Sequence, residues 1–201
     1  HRGKLTFSMT NLETVDSKPK PGQLPSDTNP PLINEYGWLW LNRAGEPTTV
    51  TTRIYPALLG TNATAAQRRL LWAKTLAAET EFWRSHRQAA GVLHFCSLGY
   101  NRRGDVPQPV GGATCDHWVD VRRLKWDADF DSYLRDAFAP VGVMLDFWAD
   151  ELPGGKPCEL AVVATNDLDE PWAGDVRLRL LRDFLTGKAG TCGRDEERHD
   201  L

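Results

Sequence analysis

The chain has 201 residues, and its 41% hydrophobic content is typical of a folded globular protein rather than a disordered one. Its 24 basic and 27 acidic residues are interspersed and give a formal net charge of −3, which excludes the clustered positive charge that nucleic-acid binding needs. Because no apolar run approaches about 18 residues, the sequence also predicts no transmembrane helix and no membrane partner.

The first apolar element is a short run near residue 32. Residues 1–31 contain repeated prolines and polar residues, which predicts an extended connection without a helix. Residues 32–33 (Leu-Ile) then precede the polar segment 34–37 (Asn-Glu-Tyr-Gly), a pattern that indicates a brief strand followed by a turn. Since catalytic residues of parallel α/β folds are found at this end of a strand, Glu35 is a candidate.

The segment from Thr64 to Gln88 has the clearest helical pattern. Thr64 and Gln67 form a capping box at its start, and apolar residues follow at helical spacing. The next run, Ala90 to Phe95, is apolar and too short for a helix, which predicts a buried strand. A strand, a long helix and a second strand in this order indicate a β-α-β crossover with parallel strands.

A long connection and a second helix follow. Residues 99–126 are rich in glycine, proline and charge, and loops of this length are usually functional or disordered. Asp127 to Phe138 then has a helical pattern, with Asp127 as the N-cap and with Phe130, Leu134 and Phe138 at steps of four. Pro140 is expected to end this helix.

The composition changes again near residues 153–157. Residues 159–165 are predicted to form one strand. The alternation of polar and apolar residues over 175–180 predicts a second strand, antiparallel and half exposed. The last residues of the chain are charged and contain glycine, which predicts a mobile tail.

Residues 33–38 (Ile-Asn-Glu-Tyr-Gly-Trp) resemble the nucleophile motif of glycoside hydrolase family 2, which comprises β-galactosidases, β-glucuronidases and β-mannosidases. In that family, a Glu followed by Tyr and Gly closes the seventh strand of a barrel. The later order is similar, with a long helix, an apolar strand that carries His94, a final helix and then a sandwich. Segments 162–167 and 172–176 resemble the first strands of the accompanying immunoglobulin-like domains, so the resemblance covers residues 30–182.

The resemblance implies an α/β fold in which a partial (β/α)8 TIM barrel, its last strands and helices, is followed by the beginning of a β-sandwich. Residues 1–152 are then the carboxy-terminal portion of the catalytic barrel, residues 153–183 the start of the sandwich, and residues 184–201 a disordered tail. Since a full barrel takes about 250 residues, the resemblance implies that the amino-terminal part of the same polypeptide is missing from this chain.

The activity implied by the resemblance is that of a retaining glycoside hydrolase, which cleaves β-glycosidic bonds by double displacement with Glu35 as the nucleophile. Such an enzyme needs a second carboxyl group about 5 to 5.5 Å away as acid/base. In this family that group lies on an earlier strand, so the chain alone is expected to be inactive. A hydrogen bond from the Tyr36 hydroxyl is expected to keep the Glu35 carboxylate ionised.

The expected partner is a carbohydrate substrate, which aromatic faces and planar hydrogen-bonding groups recognise well. Trp38 and Trp40 are two residues apart and share a face on an extended backbone, which favours stacking on a sugar ring; packing in the core is the alternative. For His94, which lies in an apolar run, the alternative is a hydrogen-bonded core histidine. The candidate substrate-binding residues are Tyr36, Trp38, Trp40, His94, Tyr100, Asn101, Asp116 and His117.

Other chemistries have weaker support. A metal site at His94, Asp116 and His117 is rejected because the sequence has neither a His pair at i, i+4 nor a dense carboxylate loop, so we expect no metal and no cofactor. The four cysteines form no C-x-x-C pair, which predicts neither a zinc site nor a redox dithiol; one or two disulfides are an alternative if the protein is exported. An extracellular or periplasmic location is favoured for a polysaccharide-degrading enzyme. The alternative function is a non-catalytic carbohydrate-binding or interaction module in which Glu35 is structural.

Overall fold

The computed structural model describes residues 5–7, 12–14, 32–33, 35–48, 50–87, 89–99, 116–147 and 157–178. The chain divides into two units, residues 1–167 and residues 168–201. The described part of the first unit contains both helices and strands, which confirms the mixed α/β class. In chain order, its elements are β1 (Leu5–Phe7), β2 (Leu12–Thr14), β3 (Leu32–Ile33), α1 (Ile54–Leu59), α2 (Ala65–His86), β4 (Gly91–Val92), β5 (Trp118–Asp120), β6 (Lys125–Trp126), α3 (Ala128–Ala137), β7 (Val141–Asp146) and β8 (Ala161–Asn166).

Each sheet among the described residues has two strands. β3 and β4 pair in parallel, whereas the pairs β1–β2, β5–β6 and β7–β8 are antiparallel. The predicted β-α-β crossover is confirmed, because α2 lies in the connection between the two parallel strands. The described residues do not form a closed barrel or a sandwich.

The predicted start of α2 is confirmed. The Thr64 side chain accepts a hydrogen bond from the backbone N–H of Gln67, and the Gln67 side chain accepts one from the Thr64 N–H at 2.8 Å. Both donors would otherwise lack a partner at the helix terminus. The helix ends at His86, slightly before the predicted end, because Arg87 adopts a left-handed conformation with φ 52°.

α2 is the structural centre of the first unit. Ten of its 22 residues are buried, so the helix is covered on a broader surface than the predicted single stripe. Trp72 packs near the amino-terminal end, Leu76 packs against Tyr36 and α3, and Trp83 packs against Met144 of β7. Burial of one such apolar side chain contributes about 1.5–3 kcal/mol to stability. The same helix therefore anchors the segment after β3, α3 and β7.

α3 agrees with the prediction except at its end. Asp127 is the N-cap, and its side chain accepts from the backbone N–H of Phe130 at 3.1 Å. Leu134 is buried as expected, but Phe138 is 45% exposed. Phe138 is the C-cap and no longer has helical backbone angles, so the periodicity does not extend to it.

Strands β5, β6 and β7 were not predicted. β5 and β6 form an antiparallel pair inside the predicted 99–126 connection, and the rings of Trp118 and Trp126 stack with centroids 3.5 Å apart.

β8 confirms the strand predicted at residues 159–165. It pairs along its whole length with β7, so the predicted domain boundary near residue 153 lies inside the first unit, between two paired strands. The division into barrel and sandwich stays a prediction.

In the second unit, the structure describes residues 168–178, which form neither helix nor strand. The strand predicted over residues 175–180 is therefore wrong for residues 175–178. Alternation of polar and apolar residues gives a strand only where a neighbouring strand accepts and donates the ladder hydrogen bonds. The predicted tail, residues 184–201, lies outside the described residues.

Candidate functional site

Glu35 lies just beyond the carboxyl end of β3. The backbone N–H of Leu93 donates to the carbonyl of Ile33 at 2.8 Å, which extends the parallel pairing beyond the two-residue strands. Because the strands are parallel, their carboxyl ends meet at one edge, and residues that follow each strand lie near that edge. Glu35 is half-buried there, and His94 follows β4 at the same edge.

The turn after Glu35 is held against α2. The Tyr36 hydroxyl and the Thr80 hydroxyl are hydrogen-bonded at 2.7 Å, and the Trp72 indole N–H donates to the carbonyl of Gly37 at 3.0 Å. Gly37 has φ +79°, which favours glycine, and a Cβ atom there would collide with Leu76. The turn therefore has a fixed position relative to the helix.

Tyr36 corrects two predictions. Its side chain is fully buried in the core, and its hydroxyl bonds Thr80 instead of the Glu35 carboxylate. Burial is the main cause that raises the pKa of the Tyr36 phenol, and the nearby Glu79 acts in the same direction. Tyr36 is consequently a structural residue, and the predicted substrate contact is wrong. The sequence could not show this, because tyrosine is common both in cores and in sugar-binding clefts.

Four of the predicted substrate-binding residues come together in two pairs, Trp38 with Trp40 and His94 with His117. They belong to two groups of contacting rings, which we together call the aromatic cluster: the first is Trp38, Trp40 and Phe95, and the second is Trp72, His94, His117 and Phe130. Trp38 lies beside Trp40 with ring centroids 5.6 Å apart, and His94 lies beside His117 at 5.3 Å. His117 is stacked on Phe130 at 3.8 Å and contacts Trp72 at the same distance.

The cluster contains buried nitrogen atoms without hydrogen-bond partners in the described part of the chain. They are Nε1 of Trp38 and Trp40 and Nε2 of His94 and His117. Burial lowers the pKa of His94 to about 4. Burial first, then the neighbouring His94 and Arg69, hold the pKa of His117 well below its ordinary value, so both imidazoles are neutral at pH 7. A neutral imidazole offers one donor and one acceptor, and an indole offers one donor.

Asp116 has a structural role in place of the predicted substrate contact. Its side chain is fully buried, and Arg43 donates to both of its oxygens at 2.8 and 2.9 Å. The backbone N–H groups of Gly99 and Trp118 donate to it as well, at 2.6 and 3.2 Å. These bonds occupy the roughly four lone-pair positions of a carboxylate. Asp116 thus ties together the segments that follow β3 and β4 and the β5–β6 pair.

Sequence reasoning missed Glu79. This carboxyl group on α2 is 3% exposed, and neither of its oxygens has a hydrogen-bond partner among the described residues. A Cβ atom at Gly37 would lie 3.5 Å from its Oε2, so the group lies under the turn that follows Glu35. Burial raises the pKa of Glu79 well above its ordinary value and favours the neutral acid. Glu79 lies seven residues after Trp72, which places both on the same side of the helix. This spacing is the feature of the sequence that indicates a buried position for Glu79.

The remaining predicted residues, Tyr100 and Asn101, lie outside the described residues. Within the described ranges, no group of three or more His, Cys, Asp or Glu side chains is placed to hold a metal ion. No described helix is long and apolar enough to cross a membrane.

Searches against protein-family models, curated proteins and solved structures find no match to this chain. The resemblance to glycoside hydrolase family 2 is therefore left as a prediction that rests on residues of the chain itself. The described residues thus offer a half-buried glutamate that follows β3, and two neutral histidines and two indoles in the aromatic cluster.

Proposed function

We propose that this chain carries the nucleophile side of a retaining glycoside hydrolase, with Glu35 as the nucleophile. The observation that carries the proposal is the half-buried position of Glu35 just beyond the carboxyl end of β3, in the parallel β3–β4 pair. In the first step, the carboxylate attacks the anomeric carbon as the aglycone oxygen leaves with a proton from the acid/base group. Water then hydrolyses the glycosyl-enzyme ester and releases the sugar with retained configuration.

The aromatic cluster supports a carbohydrate as substrate. Indole faces suit the C–H surface of a sugar ring, and Trp38, Trp40 and His94 are only partly buried. Part of Trp40 packs on the core formed around Leu39 and Trp72, so we assign it a smaller share of the sugar contact than Trp38.

The fold that completes this site is proposed to be a TIM barrel, followed by a sandwich. Leu32 and Leu93 of the parallel pair are each 54% exposed. Since parallel strands are normally covered on both faces, further strands packed on this side would bury both residues. We propose that these strands and the acid/base carboxyl group are supplied by a part of the polypeptide outside these 201 residues.

The test is to express the complete gene and compare the wild type with Glu35→Ala on a panel of aryl β-glycosides. Turnover is expected to fall by roughly 10⁴-fold or more, because a nucleophile acts as a unit with its acid/base partner. Azide should restore turnover to the variant and give an α-glycosyl azide, since it attacks from the face that the lost carboxylate occupied. Glu159→Ala, at an exposed position, is the control.

The alternative is a non-catalytic carbohydrate-binding module. It predicts sugar binding that survives loss of Glu35 and falls on loss of Trp38 or Trp40. Undiminished turnover by Glu35→Ala, or a variant that azide does not rescue although it stays folded, would contradict the nucleophile assignment. Sugar binding by a folded wild type that turns over none of the glycosides would favour the module.

A further inference from the structure

The turn that follows Glu35 is fastened to α2 at two points. The Tyr36 hydroxyl donates to Thr80 at 2.7 Å, because the Thr80 hydroxyl is itself directed at the carbonyl of Leu76, to which it donates at 2.8 Å. The second point is the 3.0 Å bond from the Trp72 indole to the carbonyl of Gly37. Both bonds are buried, so water does not compete for them.

The two points lie on one face of the helix. Trp72, Leu76 and Thr80 follow each other at steps of four, which places them on the same side, one turn apart. Leu76 occupies the space where a side chain at Gly37 would lie. This face of α2 therefore fixes Tyr36 and Gly37 by two hydrogen bonds and one steric contact. Glu35 is the residue immediately before Tyr36 in the chain, so its backbone is held as well.

We propose that Thr80 and Trp72 are positioning residues for Glu35. They contact neither substrate nor the carboxylate in this role, but hold the backbone that presents it. The proposal rests on the proposed function of Glu35. A displacement of about 1 Å at a reacting group can lower the rate by roughly 10²-fold, so a loosened turn is expected to reduce catalysis more than binding.

The test compares Thr80→Val with Thr80→Ser in the protein encoded by the complete gene. Valine has nearly the shape of threonine but cannot accept the Tyr36 bond, whereas serine keeps the hydroxyl and loses a methyl group. Thr80→Val is expected to lower kcat roughly 10-fold or more with KM within about twofold, and Thr80→Ser is expected to restore most of kcat. Thr75→Val is the matched control, because Thr75 is buried on the same helix and takes part in neither bond to the turn.

Tyr36→Phe tests the same bond from the other side. If Thr80→Val does not fold, this variant alone carries the test, and it is expected to show the same loss of kcat. If both variants fold, the double variant Tyr36→Phe/Thr80→Val is expected to have a kcat no lower than that of Tyr36→Phe alone, because both changes remove the same hydrogen bond. In Tyr36→Phe, as in Thr80→Val, KM is expected to stay within about twofold of the wild-type value, which separates lost positioning from lost substrate binding.

The two proposals fail in different ways. Turnover by Glu35→Ala at the wild-type rate removes the function on which the positioning role rests. If Glu35→Ala is inactive but Thr80→Val, Thr80→Ser and Thr75→Val share one kcat and one KM, the nucleophile assignment survives and the positioning role is overturned. A loss of activity that only follows the folded fraction, measured by thermal unfolding, would likewise overturn it.

Discussion

The buried carboxyl group of Glu79 should make the stability of the chain depend on pH, and Glu79→Gln should remove that dependence. Burial raises its pKa in the folded state well above the ordinary value of 4.5, which the unfolded chain retains. Above about pH 4.5, the unfolded state loses this proton while the folded state keeps it. The contribution to stability is therefore fully present below pH 4.5 and is lost as the pH rises through the folded pKa.

The size of the effect follows from proton linkage. Between the two pKa values, the folded state binds one more proton than the unfolded state, and the free energy of unfolding falls by about 1.4 kcal/mol per pH unit. The fall continues until the pH reaches the folded pKa, and each pH unit is a sizeable part of the roughly 5–15 kcal/mol that stabilises most domains. Glutamine keeps the shape of the neutral acid and does not titrate.

Urea unfolding followed by tryptophan fluorescence at pH 4.5, 5.5 and 6.5 measures the effect directly. We expect Glu79→Gln to gain stability relative to the wild type as the pH rises above 4.5, whereas Glu159→Gln, at an exposed position, should follow the wild type. The raised pKa of Glu81 is common to all three proteins and cancels in the comparison. Parallel stability curves for the wild type and Glu79→Gln would refute the reasoning, because they would mean that Glu79 takes up no extra proton on folding.

Three further predictions concern the supports of the site, each read out as the free energy of unfolding in urea. Asp116→Ala should lower the free energy of unfolding by about 3 kcal/mol, because the change removes a buried carboxylate and leaves Arg43 unpaired; a loss below 1 kcal/mol would contradict a stabilising role of the Arg43–Asp116 pair. Gly37→Ala should cost about 1–3 kcal/mol more than Gly60→Ala, since both positions have positive φ but only Gly60 faces open space; equal costs would exclude the collision. Thr64→Ala should cost about 1 kcal/mol through loss of the helix cap, and an unchanged midpoint would argue against the capping box.

The elements that the sequence predicted well depend on neighbouring residues alone. The cap of α2 is formed by Thr64 and Gln67, three residues apart, and the cap of α3 by Asp127 and Phe130. These contacts form whenever the segment is helical, so their residue types and spacing are visible in the sequence. The order strand, helix, strand then predicted the parallel pairing of β3 with β4.

What the sequence could not predict depends on residues far apart. Arg43 and Asp116 are 73 positions apart, and neither has a local pattern that indicates the other. Tyr36 and Thr80 are separated by 44 positions, so the destination of the Tyr36 hydroxyl was decided by the packing of α2 on the turn. The residue types of the aromatic cluster are visible in the sequence, but the contact between His94 and His117 is visible only in the folded chain.

Among the described residues, buried polar groups without partners are concentrated around the segments that follow β3 and β4. Within the described part of the chain, six buried side-chain atoms lack hydrogen-bond partners, and they belong to Trp38, Trp40, Glu79, His94 and His117. Four of these residues belong to the aromatic cluster, and the fifth lies under the turn after Glu35. Apolar residues would fill the same space without this cost, which is about 1–3 kcal/mol for each group. Selection for stability alone would spread or remove such groups, so their concentration in one part of the chain agrees with the proposal that this edge of the sheet has a role other than stability.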